Sequence, residues 1–428
     1  MSFDDRRQDP CFCGCSCSAT TPRLRGHAIG TGDHVSRKWP LAAGGALATA
    51  VAFGPARVGF GLFLPVFRDE FAMSTSAAGL IASAAFAGFF LALLLTAWLV
   101  VRLGPRPAVA AGCFAALAGM AIVAIAQNTT MLALGTVLAA TSAGFCWSPF
   151  NDAAERGVPL GERERALSVI STGTAGGIVG AGILALAVAG LEHGWRTVWV
   201  AFALAALLSA AVNLYALARL PRRGAQGVGP GALSALFSRP TWPLLGIALS
   251  FGLTNGFYLS FAVDHVVQSG GLAGVATHLS GPVLYMALGA GGVAGVLTAD
   301  VKARIGLTAL VRGIFLCSLL SLLLVGLWPT HWSALLASAA LQGACIMVLS
   351  AIFSFWSSHL HPNLPTLGFT ATLTLFALGN ILGPALGGYA AAPLGLATTF
   401  VVNAGLSLAT VVLFPGSPRR AALGDDAR

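Results

Sequence analysis

Twelve apolar runs, each long enough to cross a lipid bilayer, alternate with polar segments along the chain. A membrane-spanning α-helix needs about 20 predominantly apolar residues. The runs lie near residues 41–66, 77–101, 107–126, 131–152, 166–191, 196–218, 242–265, 278–299, 306–328, 332–355, 366–391 and 394–415. The pattern therefore predicts an all-α integral membrane protein with twelve transmembrane helices.

Composition agrees with this prediction. Mean hydropathy is +0.82, and only 9% of the 428 residues are charged, whereas soluble domains carry about 25% charged residues. The net charge of +9 does not indicate a nucleic-acid partner, because the basic residues lie in short loops and tails rather than on one face. Residues 1–38 are polar and the first apolar run is too long for a signal sequence, so we expect no cleaved signal peptide.

The distribution of Lys and Arg predicts the orientation in the membrane. All but four of the 24 Lys and Arg residues fall in the tails or in the segments that follow runs two, four, six and eight. The exceptions are Arg68 and Arg196 on the other side, and Arg57 and Arg312 within runs. By the positive-inside rule we expect both termini in the cytoplasm and the protein in the inner cell membrane.

The two halves of the chain repeat one another at an offset close to 200 residues. The glycine-rich segment Gly173–Gly180 in run five matches Gly379–Gly388 in run eleven. Such repeats are typical of transporters built from two halves around a midplane site. We therefore expect a Cys-containing disordered tail (1–38), an N-terminal six-helix bundle (39–218), a cytoplasmic linker (219–240), a C-terminal six-helix bundle (241–415) and a second tail (416–428).

From about residue 39 to 415 the chain resembles the major facilitator superfamily. The family's loop after span two reads Gly-x-x-x-Asp-Arg-x-Gly-Arg-Arg/Lys, and here the loop reads Ala97-Trp-Leu-Val-Val-Arg102-Leu-Gly-Pro-Arg106. The first Gly and the Asp are missing, which weakens the charge latch that the family assigns to this loop. The second-half copy keeps Asp300. The resemblance thus implies the two-repeat fold, and gating or coupling roles for Arg102, Arg106 and Asp300.

Two further segments carry the resemblance. The glycines of run five resemble the family's antiporter-associated motif without its proline, whereas run eleven has that proline, Pro384. The stretch Gly54–Pro65 looks like the first span of a little-characterised bacterial subgroup that also carries an arginine there. This subgroup implies no particular substrate.

Arg57 is the most informative candidate residue. It lies about 16 residues into run one, roughly 24 Å along a helix, which is too deep for its side chain to reach the cytoplasmic face. A guanidinium keeps its proton and costs at least ~2.5 kcal/mol at the bilayer centre. We expect Arg57 to face a cavity and to bind or gate an anionic substrate, with a purely structural ion pair as the alternative.

Other candidates for the substrate site are aromatic or uncharged polar residues. An apolar, aromatic lining is expected from Phe60 and Trp147. Asn255 and Tyr258 lie at mid-depth in run seven, which corresponds to run one in the repeat, and Asn380 lies in run eleven. The alternative for these polar groups is a hydrogen bond between helices, worth about 0.6 kcal/mol each.

No carboxylate lies in the middle of any run, although proton relays in membranes usually need one. Asp152 closes run four, and we expect it either to form an inner gate with Arg163 or Arg165 or to be solvated. Asp264 and His265 end run seven on the far side. They can carry protons, or they form a solvated helix end. A coupling proton would travel on these groups or on the substrate.

The cysteines and the missing nucleotide motifs narrow the function further. Cys11, Cys13, Cys15 and Cys17 can bind a soft metal such as Cu(I) or zinc, but a disordered tail is the alternative, and we expect no metal site and no cofactor. The P-loop pattern is absent from the sequence, so ATP is not expected to drive the protein directly. Clustered acidic residues for metal and diphosphate are also absent, which argues against a membrane enzyme.

The leading hypothesis is a secondary active transporter that moves a small organic anion by alternating access, with Arg57 as the anion-binding group. One alternative is proton-driven efflux of amphipathic or drug-like compounds. Another is a sensor or assembly partner that keeps the fold without transport, because fold does not determine function. The expected partners are a small-molecule solute, the lipid bilayer and protons as the coupling ion, and we expect a monomer.

Overall fold

The computed structural model describes residues 31–159, 162–188, 194–218, 220, 239–361 and 365–414, and these ranges contain helices and turns without strands. The α-helices are α1 (Thr31–Phe53), α2 (Pro55–Phe71), α3 (Thr75–Leu103), α4 (Pro105–Ala124), α5 (Thr129–Phe145), α6 (Ser148–Gly157), α7 (Arg163–Ala187), α8 (Gly194–Ala216), α9 (Trp242–Gln268), α10 (Ser280–Gly292), α11 (Thr298–Leu327), α12 (Trp332–Leu360), α13 (Pro365–Leu394) and α14 (Leu396–Leu413). The Cys11–Cys17 segment and residues 221–238 of the expected linker lie outside the described residues.

The described residues contain eleven helical stretches long and apolar enough to cross a membrane. One of them, Thr277–Leu327, has 51 residues, or about 77 Å of helix, more than twice the hydrocarbon thickness of about 30 Å. Gly306 interrupts it with a φ of 80°, a conformation that favours glycine. This stretch therefore contains runs eight and nine, and the predicted twelve-helix fold is confirmed.

Glycines on α7 allow this helix to cross α1 at very short distance. A Cβ on Gly173 would overlap the carbonyl oxygen of Ala46, and a Cβ on Gly177 would overlap that of Ala50. The two glycines are four residues apart, as are the two alanines, so each pair lies on one helix face. Small residues at this spacing let helix backbones approach closely in a membrane, where packing rather than water exclusion holds helices together.

The second half of the chain repeats this crossing between α13 and α9. A Cβ on Gly379 would overlap the carbonyl oxygen of Leu249, and one on Gly383 would overlap that of Leu253. The glycine-rich segments that match in the sequence therefore allow the same close crossing of two helices in both halves.

Most contacts between the first half and the second come from three helix pairs: α2 with α9, α3 with α13, and α7 with α10. We call the end that carries the loop at Gly104 and the turn after Gly157 the Arg-rich end. The end that carries the turns at Ala72 and Gly395 is the Arg-poor end. At the Arg-poor end an ion pair connects the halves, because Arg68 Nη1 of α2 lies 2.5 Å from Asp264 Oδ2 of α9.

The surroundings of Asp264 and His265 correct the expectation of a solvated helix end. The side chain of Asp264 is 3% exposed and also accepts a hydrogen bond of 2.8 Å from Gln268 Nε2. His265 is buried against the ring of Phe400 and lies 3.3 Å from the carbonyl oxygen of Gly326. Sequence position placed both residues at the interface, but the packing of neighbouring helices covers them.

The α1–α7 crossing gives a prediction with an internal control. Replacing Gly177 by Ala forces two backbones apart, and we expect it to lower the free energy of unfolding by roughly 1–3 kcal/mol. Gly176→Ala is the matched control, because a Cβ there meets no atom within 4 Å and alanine favours the helix by up to about 1 kcal/mol. Thermal unfolding in detergent checks both variants, and equal stability of the two would contradict the close crossing.

The ion pair gives a second prediction. Arg68→Gln and Asp264→Asn each leave one partner without its counter-charge, and we expect each to cost about 1–3 kcal/mol. This is less than for a fully buried pair, because the Arg68 side chain is 23% exposed. A double-mutant cycle should give a coupling energy of roughly 1 kcal/mol or more.

The control cycle uses Glu70 and Arg196, which form an ion pair of 2.7 Å at the same end with side chains 34% and 27% exposed. Solvent screens this pair, so we expect a coupling below about 1 kcal/mol. A coupling at Arg68 and Asp264 no larger than in this control would show that their contact does not hold the two halves together.

Candidate functional site

A cavity of about 970 Å³ lies between the two halves. Its walls come from α1, α2, α3, α6, α7 and the α5–α6 junction on one side and from α9, α10, α12, α13 and the start of α11 on the other. It extends toward the Arg-rich end, where Asn151, Ser168 and Ser354 line it. The Arg-poor end is closed by the contacts between α2 and α9 and between α3 and α13. The cavity therefore opens at one end of the bundle.

Two breaks in the helices position the side chains at this cavity. Gly54, with ψ at −109°, separates α1 from α2, and Pro55 begins α2. Pro55 has no N–H to donate, so a helix start is a favourable place for it. In the fourth span α5 ends at Phe145 and α6 begins at Ser148 with Pro149. Irregular backbone within membrane helices is tolerated where it lines a cavity, and it often marks a binding site.

Arg57 lies three residues after the first break and is surrounded by aromatic rings. Its guanidinium carbon is 4.7 Å from the ring centre of Phe89, 5.3 Å from that of Phe86, 5.4 Å from that of Phe53 and 6.0 Å from that of Phe376. We call these four phenylalanines the ring cage. Each ring presents its negative π-face to a cation, which partly replaces the water that the guanidinium loses.

The ring cage does not neutralise the charge of Arg57. Within the part of the chain that the structure describes, no carboxylate forms an ion pair with Arg57, and its buried Nε has no hydrogen-bond partner. The residue is half-buried and lines the large cavity. Its planar group has five donors that suit a carboxylate. An anion in the cavity could therefore supply the missing charge and the missing acceptors.

Phe60, which was predicted to line the substrate site, lies on the other side of Arg57. It lines a separate pocket of about 20 Å³ together with Arg57, Gly61 and Ser260. A pocket of that size is large enough for about one water molecule. Phe60 also packs against Phe67, with ring centres 5.9 Å apart. It is therefore a neighbour of Arg57 and does not belong to the wall of the large cavity.

The polar candidates of the second half form a buried network that reaches the cavity at one residue. Asn255 lines the cavity, donates to Asn380 Oδ1 at 3.0 Å and accepts from Gln342 Nε2 at 3.2 Å. Asn380 is fully buried and in turn donates to the carbonyl oxygen of Phe376 at 2.8 Å. Asn380 thus orients Asn255 and the backbone of a cage residue, and it does not itself line the cavity.

Tyr258 corrects its predicted place in the cavity wall. Its side chain is fully buried, and its hydroxyl lies 3.0 Å from Ser338 Oγ, away from the lining. A single residue step along a helix turns a side chain by about 100°, and the sequence alone did not determine which face meets the cavity.

Charged residues at the Arg-rich end have local partners. Asp152 pairs with Arg156 on its own helix, with contacts of 2.7 and 2.9 Å, and Arg163 donates to the carbonyl oxygens of Val158 and Glu155. This arrangement replaces the expected pair of Asp152 with Arg163 or Arg165. The i, i+4 spacing explains it, since such residues are neighbours on a helix surface.

The predicted gating residues of the two repeated loops are exposed. Arg102 lies 4.9 Å from the ring centre of Trp98, Arg106 is exposed, and Asp300 is exposed in the first turn of α11. None of them lines the cavity. Their gating roles stay predictions.

The sequence reasoning missed the ring cage. Phe53 lies four residues before Arg57, a spacing that places two residues on one face of the single helix predicted for run one, so this signal was available. Phe86 and Phe89 lie on α3 and Phe376 lies on α13. Their meeting with Arg57 depends on how three separate helices pack, and no sequence pattern specifies that.

The comparisons with known proteins agree with this architecture. The chain is 30% identical over 302 residues to "Transcription regulatory protein OpdE" of Pseudomonas aeruginosa, which covers 68% of this chain and 72% of that protein. Solved structures with the same fold include a bacterial homologue of the human lysosomal transporter Spinster in an inward-facing and occupied conformation. It has a TM-score of 0.69 and 17% identity, and the match covers 90% of this chain and 97% of that one.

Two other solved transporters share the fold. The nucleoside transporter NupG has a TM-score of 0.69 and 16% identity over 88% of this chain and 98% of that one. A POT family transporter in complex with 5-aminolevulinic acid has a TM-score of 0.71 and 12% identity over 88% of this chain and 94% of that one. The sequence family described as Major Facilitator Superfamily matches residues 41–327. The protein is a multi-pass membrane transporter that belongs to the Major Facilitator Superfamily.

Proposed function

We propose that the protein is a secondary active transporter that moves a small organic anion by alternating access, and that Arg57 binds the anion. The observation that carries this proposal is a guanidinium on the cavity wall without a counter-ion among the described residues. Charged residues within membrane spans usually face a cavity and meet a partner or a solute. A bound carboxylate would form two parallel hydrogen bonds with the guanidinium and neutralise it.

The rest of the cavity wall favours Arg57 as the single charged contact. Of the described residues that line the cavity, Arg57 alone carries a charge, and the other polar groups are hydroxyls and amides such as Ser350 and Asn255. A cationic solute would meet an uncompensated positive charge here, which is costly in a site of low dielectric.

The proposed orientation places the open cavity toward the cytoplasm. The cavity extends to the Arg-rich end, and the positive-inside rule places that end on the cytoplasmic side of the inner membrane. Import or export of the anion is compatible with this state, since alternating access opens the same site to both sides.

Asp264 is the proposed coupling group. It is a buried carboxylate in the contact between the halves, at the end that must open for the cavity to face the other side. Its protonation would remove the attraction to Arg68. A coupling proton at this position would therefore favour opening of the Arg-poor end. We propose that a single chain carries out this cycle.

A second candidate function is that of a sensor with a transporter fold. The observation that favours it is the relative named a transcription regulatory protein, which is 30% identical over most of both chains. In that case Arg57 would bind an anion as a signal without transport. Measuring flux in vesicles distinguishes the two, because a sensor binds the anion and moves none.

The proposal predicts that Arg57 is required for anion flux. Proteoliposomes are offered radiolabelled pyruvate, succinate and benzoate, and the lipophilic cation tetraphenylphosphonium. We expect uptake of at least one acid, and we expect Arg57→Ala to reduce it by about tenfold or more, because charge-assisted hydrogen bonds contribute about 1.5–3 kcal/mol. Arg57→Lys should keep part of the activity, since it retains the charge and loses the planar fork.

Arg312 provides the matched control. It is the other arginine within a predicted run, and it donates to the carbonyl oxygen of Phe414 at 3.2 Å away from the cavity. Arg312→Ala should leave anion uptake within about twofold of the native value. Acid uptake that survives Arg57→Ala, or cation uptake without acid uptake, would contradict the proposal and favour export of amphipathic compounds.

Alternating access makes a separate prediction about side-chain accessibility. Single cysteines are placed at Ser354, which lines the cavity, and at Ser83, which is buried where α3 contacts α13. The eight native cysteines are first replaced. A polar maleimide should label Ser354→Cys quickly and Ser83→Cys slowly in the conformation described above.

The coupling role of Asp264 is tested in the same two backgrounds. Asp264→Asn imitates the protonated carboxyl and removes the charge attraction to Arg68, so we expect faster labelling at Ser83→Cys and slower labelling at Ser354→Cys. Unchanged rates at both positions would exclude the Arg68–Asp264 pair as a gate. Glu70→Gln, in the more exposed ion pair at the same end, is the control.

A further inference from the structure

We propose that the anion is an aromatic monocarboxylate, with the carboxylate on Arg57, the ring in the ring cage, and Trp147 as the residue that selects for an aromatic body. This inference rests on the proposed function and names its substrate class. It starts from the surroundings of the guanidinium, which restrict what can follow a carboxylate bound there.

The group bonded directly to the carboxylate must lie among aromatic rings. The four rings of the cage have centres between 4.7 and 6.0 Å from the guanidinium carbon. A carboxylate that reaches Arg57 from the cavity therefore brings its neighbouring atoms to the edge of this cage. A hydroxyl or a second charge at that position would lose water without gaining a partner, which is costly. An apolar group has no hydrogen bonds to water to lose at this position.

The number of charges on the wall limits the number on the substrate. Arg57 is the only charged group among the described residues that line the cavity. A dicarboxylate would leave its second carboxylate without a cation in the same apolar region, so the wall favours a single negative charge.

The aromatic wall continues beyond the cage and leads to Trp147. Trp147 lies at the break between α5 and α6, and it contacts Phe53 of the cage edge-to-face, with ring centres 5.7 Å apart at 81°. On its other side it contacts Phe369 of α13 in the same manner, at 5.8 Å and 81°. All three residues line the cavity.

This geometry favours an aromatic ring over a saturated one. Edge-to-face contacts depend on the quadrupole of a π-system, which a saturated ring of similar size lacks. The half-buried indole of Trp147 connects a ring of the first half with a ring of the second. A planar aromatic body could make the same kind of contact with either of them.

A competition experiment with matched acids tests the inference. Purified native protein is titrated with benzoate, cyclohexanecarboxylate and succinate at pH 7, where all three are ionised, and with benzylamine as the cationic counterpart of benzoate. We expect benzoate to bind on the order of threefold to tenfold more tightly than cyclohexanecarboxylate. Succinate should bind at least about tenfold more weakly than benzoate, and benzylamine should not compete.

Trp147→Leu should remove the preference for benzoate over cyclohexanecarboxylate while binding of both acids still depends on Arg57. Trp328→Leu is the control, because that indole is 49% exposed and does not line the cavity. It should leave the preference unchanged. If the Trp147 variant is unstable, the comparison of benzoate with cyclohexanecarboxylate on native protein still tests the inference.

The outcomes separate this inference from the function on which it rests. Equal binding of benzoate and cyclohexanecarboxylate, or tighter binding of succinate, with all binding lost in Arg57→Ala, would overturn the aromatic substrate class and support the anion site. Binding of acids that is unaffected by Arg57→Ala would overturn the anion site itself.

Discussion

The charge of Arg57, which no carboxylate among the described residues compensates, is the constraint on which the proposed site depends. A guanidinium in the middle of a membrane helix needs water, π-faces or an anion around it. The chain supplies four rings from α1, α3 and α13, and a cavity beside them. The rings lower the cost of burial without cancelling the charge. The proposed site thus keeps an electrostatic need that a bound anion would meet.

The glycine crossings explain how the fold leaves space for this cavity. Gly173 and Gly177 bring α7 against α1, whereas Gly176 and Gly180 lie on the face of α7 that lines the cavity. One glycine-rich segment thus serves two purposes on two faces of the same helix. The close crossing with α1 requires that Gly173 and Gly177 have no side chain. The missing side chains of Gly176 and Gly180 widen the cavity between the halves.

Features that depend on a local residue pattern or on the free-energy cost of burying a charge could be predicted from the sequence. The span count, the glycine repeat and the cavity position of Arg57 follow from hydrophobic length, residue size and the cost of a buried charge. The sequence could not predict features that depend on how distant helices meet. The ring cage joins residues up to about 320 positions apart along the chain. Asp264 is buried by neighbouring helices although it lies at a helix end, and Tyr258 faces Ser338 because of a rotation that apolar periodicity does not determine in a helix that is buried on all sides.

The contacts within each half and the contacts between the halves share glycine crossings and differ in their polar groups. Within each half, backbones touch at Gly177 and at Gly383, and these crossings tolerate little movement because no flexible side chain lies between them. Between the halves at the Arg-poor end, the contacts include an ion pair, single hydroxyl bonds such as Ser83 Oγ to the carbonyl oxygen of Ile381, and close glycine crossings of Gly61 on Leu259 and Gly79 on Pro384. Those polar contacts can be exchanged for water one by one. A motion that opens the Arg-poor end would have to break these polar contacts and part the glycine crossings between the halves. Arg57 would then move with the first half and become accessible from the other side of the membrane. Phe376 of the cage would move with the second half. The opening motion would therefore change how well the rings compensate the charge of Arg57.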